Sequence, residues 1–474
     1  MTSVATPSVV RALSAGFVAE AVSGRLVSGD PARAFTTIST DSRALADQGA
    51  RAGALFIALS GPQFDGHAFV NDLIGGGVAG VLVSQPVSVS GATAVIQVPD
   101  TLLALQRLAR EVRRASGARV IAITGSAGKT TTKEMTADVL GARFRVFRNQ
   151  GNLNNHIGLP LSLLELRHGA EVAVVELGMN HAGEIRTLVG VAEPDVRVWT
   201  NVGDAHIGHF GSRDAIADAK AEILEGATAS SVLVANADDP LVLARVAGFA
   251  GRTILFGEHP RADVRASDVV DAGFDGTSAT IWIQGAPVSV RVPLPGRANL
   301  MNALAAVAVA ADAGVPATDI VARIAHMRPV SRRGESATLA SGVRVVDDSY
   351  NASPAAVLRA LEALAATPAT RRVAVLGEMR ELGALAMTLH ADCGAAAAAS
   401  GVDLLVVIGG PSADGVVDGA LKVGMPADRI HRFADSATAA DALPALVRAG
   451  DLVLVKGSRG TRTDIVADRL TGRA

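Results

Sequence analysis

Cysteine, tyrosine and lysine are all scarce in this chain of 474 residues. The single cysteine, Cys393, excludes an internal disulfide and fits a reducing cytoplasm. A formal net charge of −2 removes any electrostatic case for nucleic acid or an acidic membrane as a partner. Long hydrophobic runs are missing too. Stretches such as Ala303–Ala311 are too short to span a bilayer, so no membrane insertion is expected. Met1 to Val10 has no basic segment leading into an apolar core, so no signal peptide is expected. No Gly-x-Gly-x-x-Gly follows a strand-like run, which leaves a nicotinamide role unsupported. Disorder is excluded by a composition that is 49% hydrophobic and 19% charged, and the length predicts about three domains.

Lysine is the informative scarcity. Of 44 basic residues only five are lysines: Lys129, Lys133, Lys220, Lys422 and Lys456. Wherever a generic positive charge would serve, the chain uses arginine. A retained lysine then points to a need for a compact ammonium, or for an amine that can be deprotonated and modified. Codon bias explains the scarcity, but not why three of the five lie inside motifs.

The strongest motif is Gly125-Ser126-Ala127-Gly128-Lys129-Thr130-Thr131. It follows the apolar run Val120–Ile123 and precedes a helix-like stretch from Lys133 to Leu140. Glycines let backbone N–H groups converge on anionic oxygens. The helix N-terminus adds partial positive charge, Lys129 a full one, and a threonine hydroxyl can ligate Mg²⁺. The loop is a tight variant, because Ile123 stands where the common phosphate-binding loop has its first glycine. A nucleoside triphosphate is the expected ligand.

The pattern around the loop is α/β throughout, and three domains are expected. Residues 1–98 read as a small α/β unit with strands at Ala54–Leu59 and Gly80–Val83. Residues 99–328 open on an amphipathic helix, Thr101 to Ser116. They continue with buried-strand runs at Val120–Thr124, Val172–Leu177, Val196–Val202, Val232–Ala235 and Thr253–Phe256, the pattern of a mostly parallel sheet. Between Val264 and Pro293 the period shifts towards two, which predicts an antiparallel patch, and Asn302 to Gly314 reads as an Ala-rich helix. Residues 329–474 form a Rossmann-like unit with strands at Val343–Val346, Val373–Leu376, Leu404–Ile408 and Leu452–Val455.

Polar constellations cluster at the ends of these strands, where parallel sheets bind ligands. Glu176 ends one run and could reach a metal held by Thr130; the bland alternative is a carboxylate at the surface lip. His206 closes Asn201-Val202-Gly203-Asp204-Ala205-His206 and would be carried to the same edge. Lys220 lies on an apparent helix. As an ammonium it would repel a metal, as a carbamate it could ligate one, and composition alone favours an ordinary surface lysine. Asn236-Ala237-Asp238-Asp239 closes another strand and could fix a turn at the nucleotide site. Asn299 and Asn302 share a helix face and suit the edge of adenine, with helix capping by Asn299 as the alternative. Three further segments complete one extended polar site: the loop Asn149–Gly158 with Asn154 and Asn155, the run Asp347–Pro354 with the only tyrosine, and Lys456-Gly457-Ser458-Arg459.

Taken together these residues resemble the Mur ligases, the ATP-dependent amide-forming enzymes of peptidoglycan synthesis. The matching elements are Thr124–Thr131, Gly151–Gly158, Glu176, Asn201–His206, Lys220, Asn236–Asp239 and Asn299–Asn302, in the family's order. Asp348-Ser349-Tyr350-Asn351-Ala352-Ser353-Pro354, Gly377-Glu378-Met379-Arg380-Glu381-Leu382-Gly383 and Lys456–Arg459 look like the branch that adds D-alanyl-D-alanine. Thr40-Asp41-Ser42-Arg43 is similar to the family's segment near the uridine nucleotide. Ala221 and Gly208 depart from the residues frequent after the lysine and the histidine, which leaves the local geometry there open.

The resemblance implies a set of roles. Residues 125–131 would bind ATP, with Lys129 on the β- and γ-phosphates and Thr130 on one Mg²⁺. Glu176, His206 and carbamylated Lys220 would place a second ion, and with Lys129 form the catalytic set. Asn299 and Asn302 would face adenine, and Arg333 and Asp348 would reach ATP. Asp41, Ser42, Arg43, Asn154, Asn155, Tyr350, Asn351, Lys456, Ser458 and Arg459 would bind substrate. The partners implied are UDP-N-acetylmuramoyl-tripeptide and D-alanyl-D-alanine, joined through an acyl phosphate by a cytoplasmic monomer with hinges near residues 99 and 328. The alternatives are the sibling ligase that adds the third amino acid, a folylpolyglutamate-type ligase, and a loop-type ATPase or kinase with no amide product.

Overall fold

The computed structural model describes residues 12–87 and 92–473; Met1 to Val10, where no signal peptide is expected, lies outside them. The chain divides into two compact units. The first takes the described residues up to Ala122, then Phe144–Met179 and Gly183–Val196. The second takes Ile123–Arg143, Asn180–Ala182 and the chain from Arg197 onward. The helix Thr101–Ser116, where the second of three expected domains begins, groups with the first unit.

The first unit holds a five-stranded sheet in the order Arg25–Ser28, Ala94–Gln97, Gly80–Val83, Ala54–Ile57, Thr37–Ser39. All neighbours are parallel except the first pair. Ala54–Ile57 and Gly80–Val83 are buried at every position, so they read as continuous apolar runs with no alternation. Phe56, Val81, Val83 and Val95 pack with Val70, Leu73 and Ile74 of the helix Val70–Gly75. The helix Thr101–Ser116 spans the predicted residues. Asp100 caps it by accepting from the Leu103 amide at 2.9 Å, and Gly117 ends it in the left-handed region. Val146–Arg148 and Val172–Glu176 pair in parallel in the same unit.

In the second unit, Val232–Asn236, Arg252–Gly257 and the start of Val264–Asp271 run parallel, and Val264–Asp271, Thr277–Ile283 and Ala286–Val292 then turn antiparallel. This is the patch that the period-two stretch predicts. The Ala-rich helix begins earlier than expected, at Arg297, and runs to Asp312 with Leu300 and residues 302–310 buried. A six-stranded sheet follows in the order Glu335–Thr338, Arg344–Asp348, Asp451–Lys456, Arg371–Gly377, Leu404–Ile408, Ile430–Phe433. It is parallel apart from its first strand, as a Rossmann-like unit requires. Val345, Val375, Val406, Val453 and Val455 form its core. Asp348 and Lys456 are register partners at the ends of adjacent strands, so the topology delivers two charged groups to one edge.

Candidate active site

The helix Lys129–Leu140 starts directly at the glycine loop. Its N-cap is Gly128, at φ 81°, and no side chain caps it, so the first-turn amides are turned towards the loop. A Cβ at Gly125 would collide with the Thr200 hydroxyl and one at Gly128 with the Asn302 amide oxygen, so both positions require glycine. Lys129 Nζ donates to the Gly125 carbonyl at 2.8 Å and curls its charge over the loop. Asn201 clamps the loop from outside: its Oδ1 accepts from the Ala127 amide at 2.9 Å and its Nδ2 donates to the Ala127 carbonyl at 3.0 Å. Ser126 Oγ accepts from the Gly203 amide at 2.8 Å. Asn236 Nδ2 donates to the Thr200 carbonyl at 2.7 Å, and Asp239 accepts from the Val202 amide at 2.7 Å. The strand-end asparagines and aspartate thus build the loop's outer wall. In the sequence Asn201 stands only as the first residue of the motif that ends at His206, and a polar residue at a strand end is the signal for its role.

Asn302, 7% exposed, accepts from the Thr132 hydroxyl at 3.2 Å and donates to Asn299 Oδ1 at 3.0 Å. Asn299 donates in turn to the Pro295 carbonyl at 2.8 Å. Gly296 is the N-cap of this helix, which corrects the capping alternative for Asn299. The shared face is real, and it fastens the helix Arg297–Asp312 to the helix that carries Lys129 and Thr130.

His206 sits at φ 66° and its Nδ1 lies 2.9 Å from Glu381 Oε2. Burial pushes the imidazole's pKa below its ordinary value. Glu381 opposes that shift, while the charges of Lys129 and Lys220 add to it. Lys220 is 2% exposed on the helix Arg213–Ala221, which rules out the surface-lysine alternative. Lys129 and Lys220 both lie within electrostatic reach of the imidazole. Among the described residues no group of three or more His, Cys, Asp or Glu side chains could hold a metal. A divalent cation therefore fits this donor set only where Lys220 is converted to an anion.

In the first unit Glu176 is 4% exposed, so it is not a surface-lip carboxylate. Its Oε1 accepts from Asn154 Nδ2 at 2.8 Å, and its amide donates to Asn149 Oδ1 at 3.1 Å. Asn155 Oδ1 accepts from the Ile157 and Gly158 amides at 3.2 and 2.8 Å, so it shapes the turn into the helix Gly158–Leu163. Asp41 caps the short turn Ser42–Leu45 and pairs with Arg43 through two oxygens, which holds its carboxyl down at about 2. The Arg43 side chain is 87% exposed and presents its guanidinium to solvent.

At the six-stranded sheet, Arg333 and Arg459 both stack on Tyr350, with guanidinium carbons 4.2 and 5.0 Å from the ring centroid. Arg459 also donates to the Tyr350 hydroxyl at 2.7 Å, and Arg333 to Thr130 Oγ1 at 3.3 Å. Arg333 therefore touches both the only tyrosine and the glycine loop. Lys456 donates to Asp348 at 2.6 Å and to the Asn351 carbonyl at 3.1 Å. Ser458, 3% exposed, turns inward and donates to the Glu378 carbonyl at 2.5 Å.

The loop has the geometry of a nucleotide-phosphate cradle, and the cation–aromatic stack at the six-stranded sheet touches it through Arg333. Residues 123–310 match the Mur ligase middle domain and residues 332–459 match the Mur ligase glutamate ligase domain. The chain belongs to the Mur ligase family. Its similarity is specific within that family. It is 37% identical over 457 residues to the UDP-N-acetylmuramoyl-tripeptide--D-alanyl-D-alanine ligase of Bacillus subtilis (strain 168), across 95% of this chain and 97% of that one. It superposes on a crystal structure of MurF from Acinetobacter baumannii with a TM-score of 0.88 at 31% identity, covering 98% of this chain and 100% of that chain. MurF from Thermotoga maritima in complex with ADP gives a TM-score of 0.80 at 30% identity, covering 92% and 98% of the two chains.

Proposed function

We propose that this chain joins D-alanyl-D-alanine to UDP-N-acetylmuramoyl-tripeptide at the expense of ATP, in the cytoplasmic synthesis of peptidoglycan precursors. The observation that carries the reading is near-full-length similarity to the Bacillus subtilis ligase, together with the Asp348–Pro354 run set beside Lys456 and Arg459.

A carboxylate does not acylate an amine at neutral pH, because its oxygen is a poor leaving group. Transfer of the ATP γ-phosphoryl group to the tripeptide's terminal carboxylate makes an acyl phosphate and ADP. Attack by the dipeptide amine on the acyl carbon then expels phosphate and forms the amide. Two anions meet in the first step, so positive charge must be fixed in advance. Lys129, the loop amides and the helix N-terminus supply it, with Arg333 approaching from the six-stranded sheet. Arg459 and Lys456 suit the dipeptide's carboxylate, with Tyr350 and Asn351 at the same edge. In the first unit, Asp41, Ser42 and Arg43 bind the uridine nucleotide. Holding reactants in line contributes roughly 7–11 kcal/mol of barrier lowering.

Magnesium, with Thr130, His206 and carbamylated Lys220 as the second unit's donors, would neutralise phosphate charge as it develops. Burial of Lys220 within electrostatic reach of His206 supports the carbamate, because an anion there can share a cation with the imidazole.

Product mass spectrometry tests the assignment. Incubation with ATP, UDP-N-acetylmuramoyl-tripeptide and D-alanyl-D-alanine is expected to give the pentapeptide product and ADP. ADP release with a free diamino acid instead would assign the chain to the third-residue branch. ATP turnover with no acceptor present would make it an ATPase.

A further inference from the structure

The segment Gly377–Gly383 has no part in the chemistry above, yet it reaches the nucleotide side of the second unit. Residue by residue it is anchored. The Glu378 carbonyl accepts from the Ser458 and Thr461 hydroxyls at 2.5 and 2.9 Å, and Glu378 Oε2 accepts from the Gly410 amide at 3.1 Å. The Met379 amide donates to His390 Nε2 at 2.9 Å, and Arg380 donates to the Gly460 carbonyl at 3.3 Å. Two strand ends and a buried histidine thus fix the run-up to Glu381. Beyond it, the backbone meets the turn after His206 at close range. A Cβ at Gly208 would lie 2.7 Å from the Glu381 carbonyl oxygen and 2.9 Å from the Gly383 amide. This approach exists because position 208 is glycine, one of the two departures from the family pattern. Both partners, His206 at φ 66° and Glu381 at φ 65°, occupy the left-handed region that non-glycine residues avoid. Such strain persists only where surrounding structure enforces it.

We infer that Glu381 is a positioning residue for His206: its carboxylate fixes the imidazole's tautomer and orientation. The inference rests on the proposed ligase reading for its activity readouts. A carboxylate only accepts, so the 2.9 Å contact to Nδ1 places the proton on Nδ1. Nε2 then carries the lone pair, the form in which an imidazole accepts a hydrogen bond or ligates a cation. Side chains 175 residues apart are joined, so the six-stranded sheet controls the state of a group on the nucleotide side.

Three variants test this: Glu381→Ala, Glu381→Asp and Gly208→Ala. In metal-free protein at pH 8, long-range ¹H–¹⁵N spectra of histidine-labelled enzyme are expected to show His206 as the Nδ1–H tautomer, assigned by its loss in His206→Gln. Glu381→Ala should yield a tautomer mixture, lower kcat by roughly 10–100-fold and raise the Mg²⁺ concentration for half-activation by a similar factor, with thermal unfolding unchanged. Glu381→Asp should restore part of each effect. Gly208→Ala keeps the carboxylate but pushes the backbones apart, and should reproduce the alanine phenotype. An unchanged tautomer in Glu381→Ala would overturn the inference, even if activity fell. So would an unchanged Mg²⁺ requirement. Failure of the wild type to make the amide product, with the tautomer shift intact, would instead defeat the ligase reading alone.

Discussion

His390 shows how a buried ionisable group ties stability to pH. It is fully buried, accepts from the Met379 amide through Nε2 and meets the Ala386 carbonyl through Nδ1 at 2.7 Å, an arrangement that needs the neutral ring. Burial holds its pKa below the ordinary value near 6.5. The unfolded chain therefore binds the proton first as pH falls. His390's contribution is fully present above about pH 6.5 and is lost as pH drops through the folded value. Denaturant titrations at pH 7.5, 6.5 and 5.5 are expected to show this loss, at no more than about 1.4 kcal/mol per pH unit from this group. His390→Gln should have a shallower profile than the wild type. Lys220 is the second residue whose surroundings decide its chemistry. Wild-type activity is expected to fall when bicarbonate and CO₂ are stripped and to recover on their return. Lys220→Ala, roughly 10–100-fold less active, should respond to neither. Unchanged activity in that variant would remove Lys220 from the metal set. The sequence marked this lysine through scarcity, but its helix neighbours could not reveal burial. That burial depends on Ile216, Ala217 and Ala219 packing inward with it.

Among elements, the glycine loop was the most legible, because strand, loop and helix are contiguous and their geometry is set by local backbone rules. Its walls were less so. Asn201, Asn236 and Asp239 stood in noted motifs, yet only the fold makes them partners of Ala127, Thr200 and Val202. The Glu381–His206 contact was not legible, since nothing near either residue records the other. Strands Arg25–Ser28, Glu335–Thr338 and Ile430–Phe433 also escaped the sequence. Each is a partly exposed edge with no buried run to announce it. The loop itself yields a prediction about packing. Gly128→Ala forces a side chain into the left-handed region and into Asn302, whose amide also holds Thr132. Both costs fall on the junction between the helices Lys129–Leu140 and Arg297–Asp312. The variant is expected to lose at least about 1–3 kcal/mol of stability and most of its ATP affinity. Pairing it with Asn302→Ala should recover part of the stability, because the collision is removed. Chemical denaturation of both single variants and the double variant measures that coupling.

At the scale of the whole molecule, the nucleotide loop and the last sheet fall in one compact unit, so they should open together. Cys393 reports on that opening. It is 1% exposed on the helix Ala386–Ala399, and burial pushes its thiol up to about 12. The thiolate is the reactive form, so in the native protein at pH 8 Cys393 should resist iodoacetamide and react only through an opening that frees this helix. A nucleotide that binds the closed unit alone suppresses any opening that also dismantles the loop. At a hundred times its dissociation constant, a non-hydrolysable ATP analogue should disfavour such an opening by about 2.7 kcal/mol. When reclosing outpaces alkylation, that corresponds to labelling slowed about a hundredfold. The UDP-linked substrate is proposed to meet Asp41, Ser42 and Arg43, which belong to the first unit, and at the same saturation should protect Cys393 much less. Labelling followed by mass spectrometry with each ligand separates the outcomes. Equal insensitivity to both would mean that the helix frays locally and that the second unit does not open as one body.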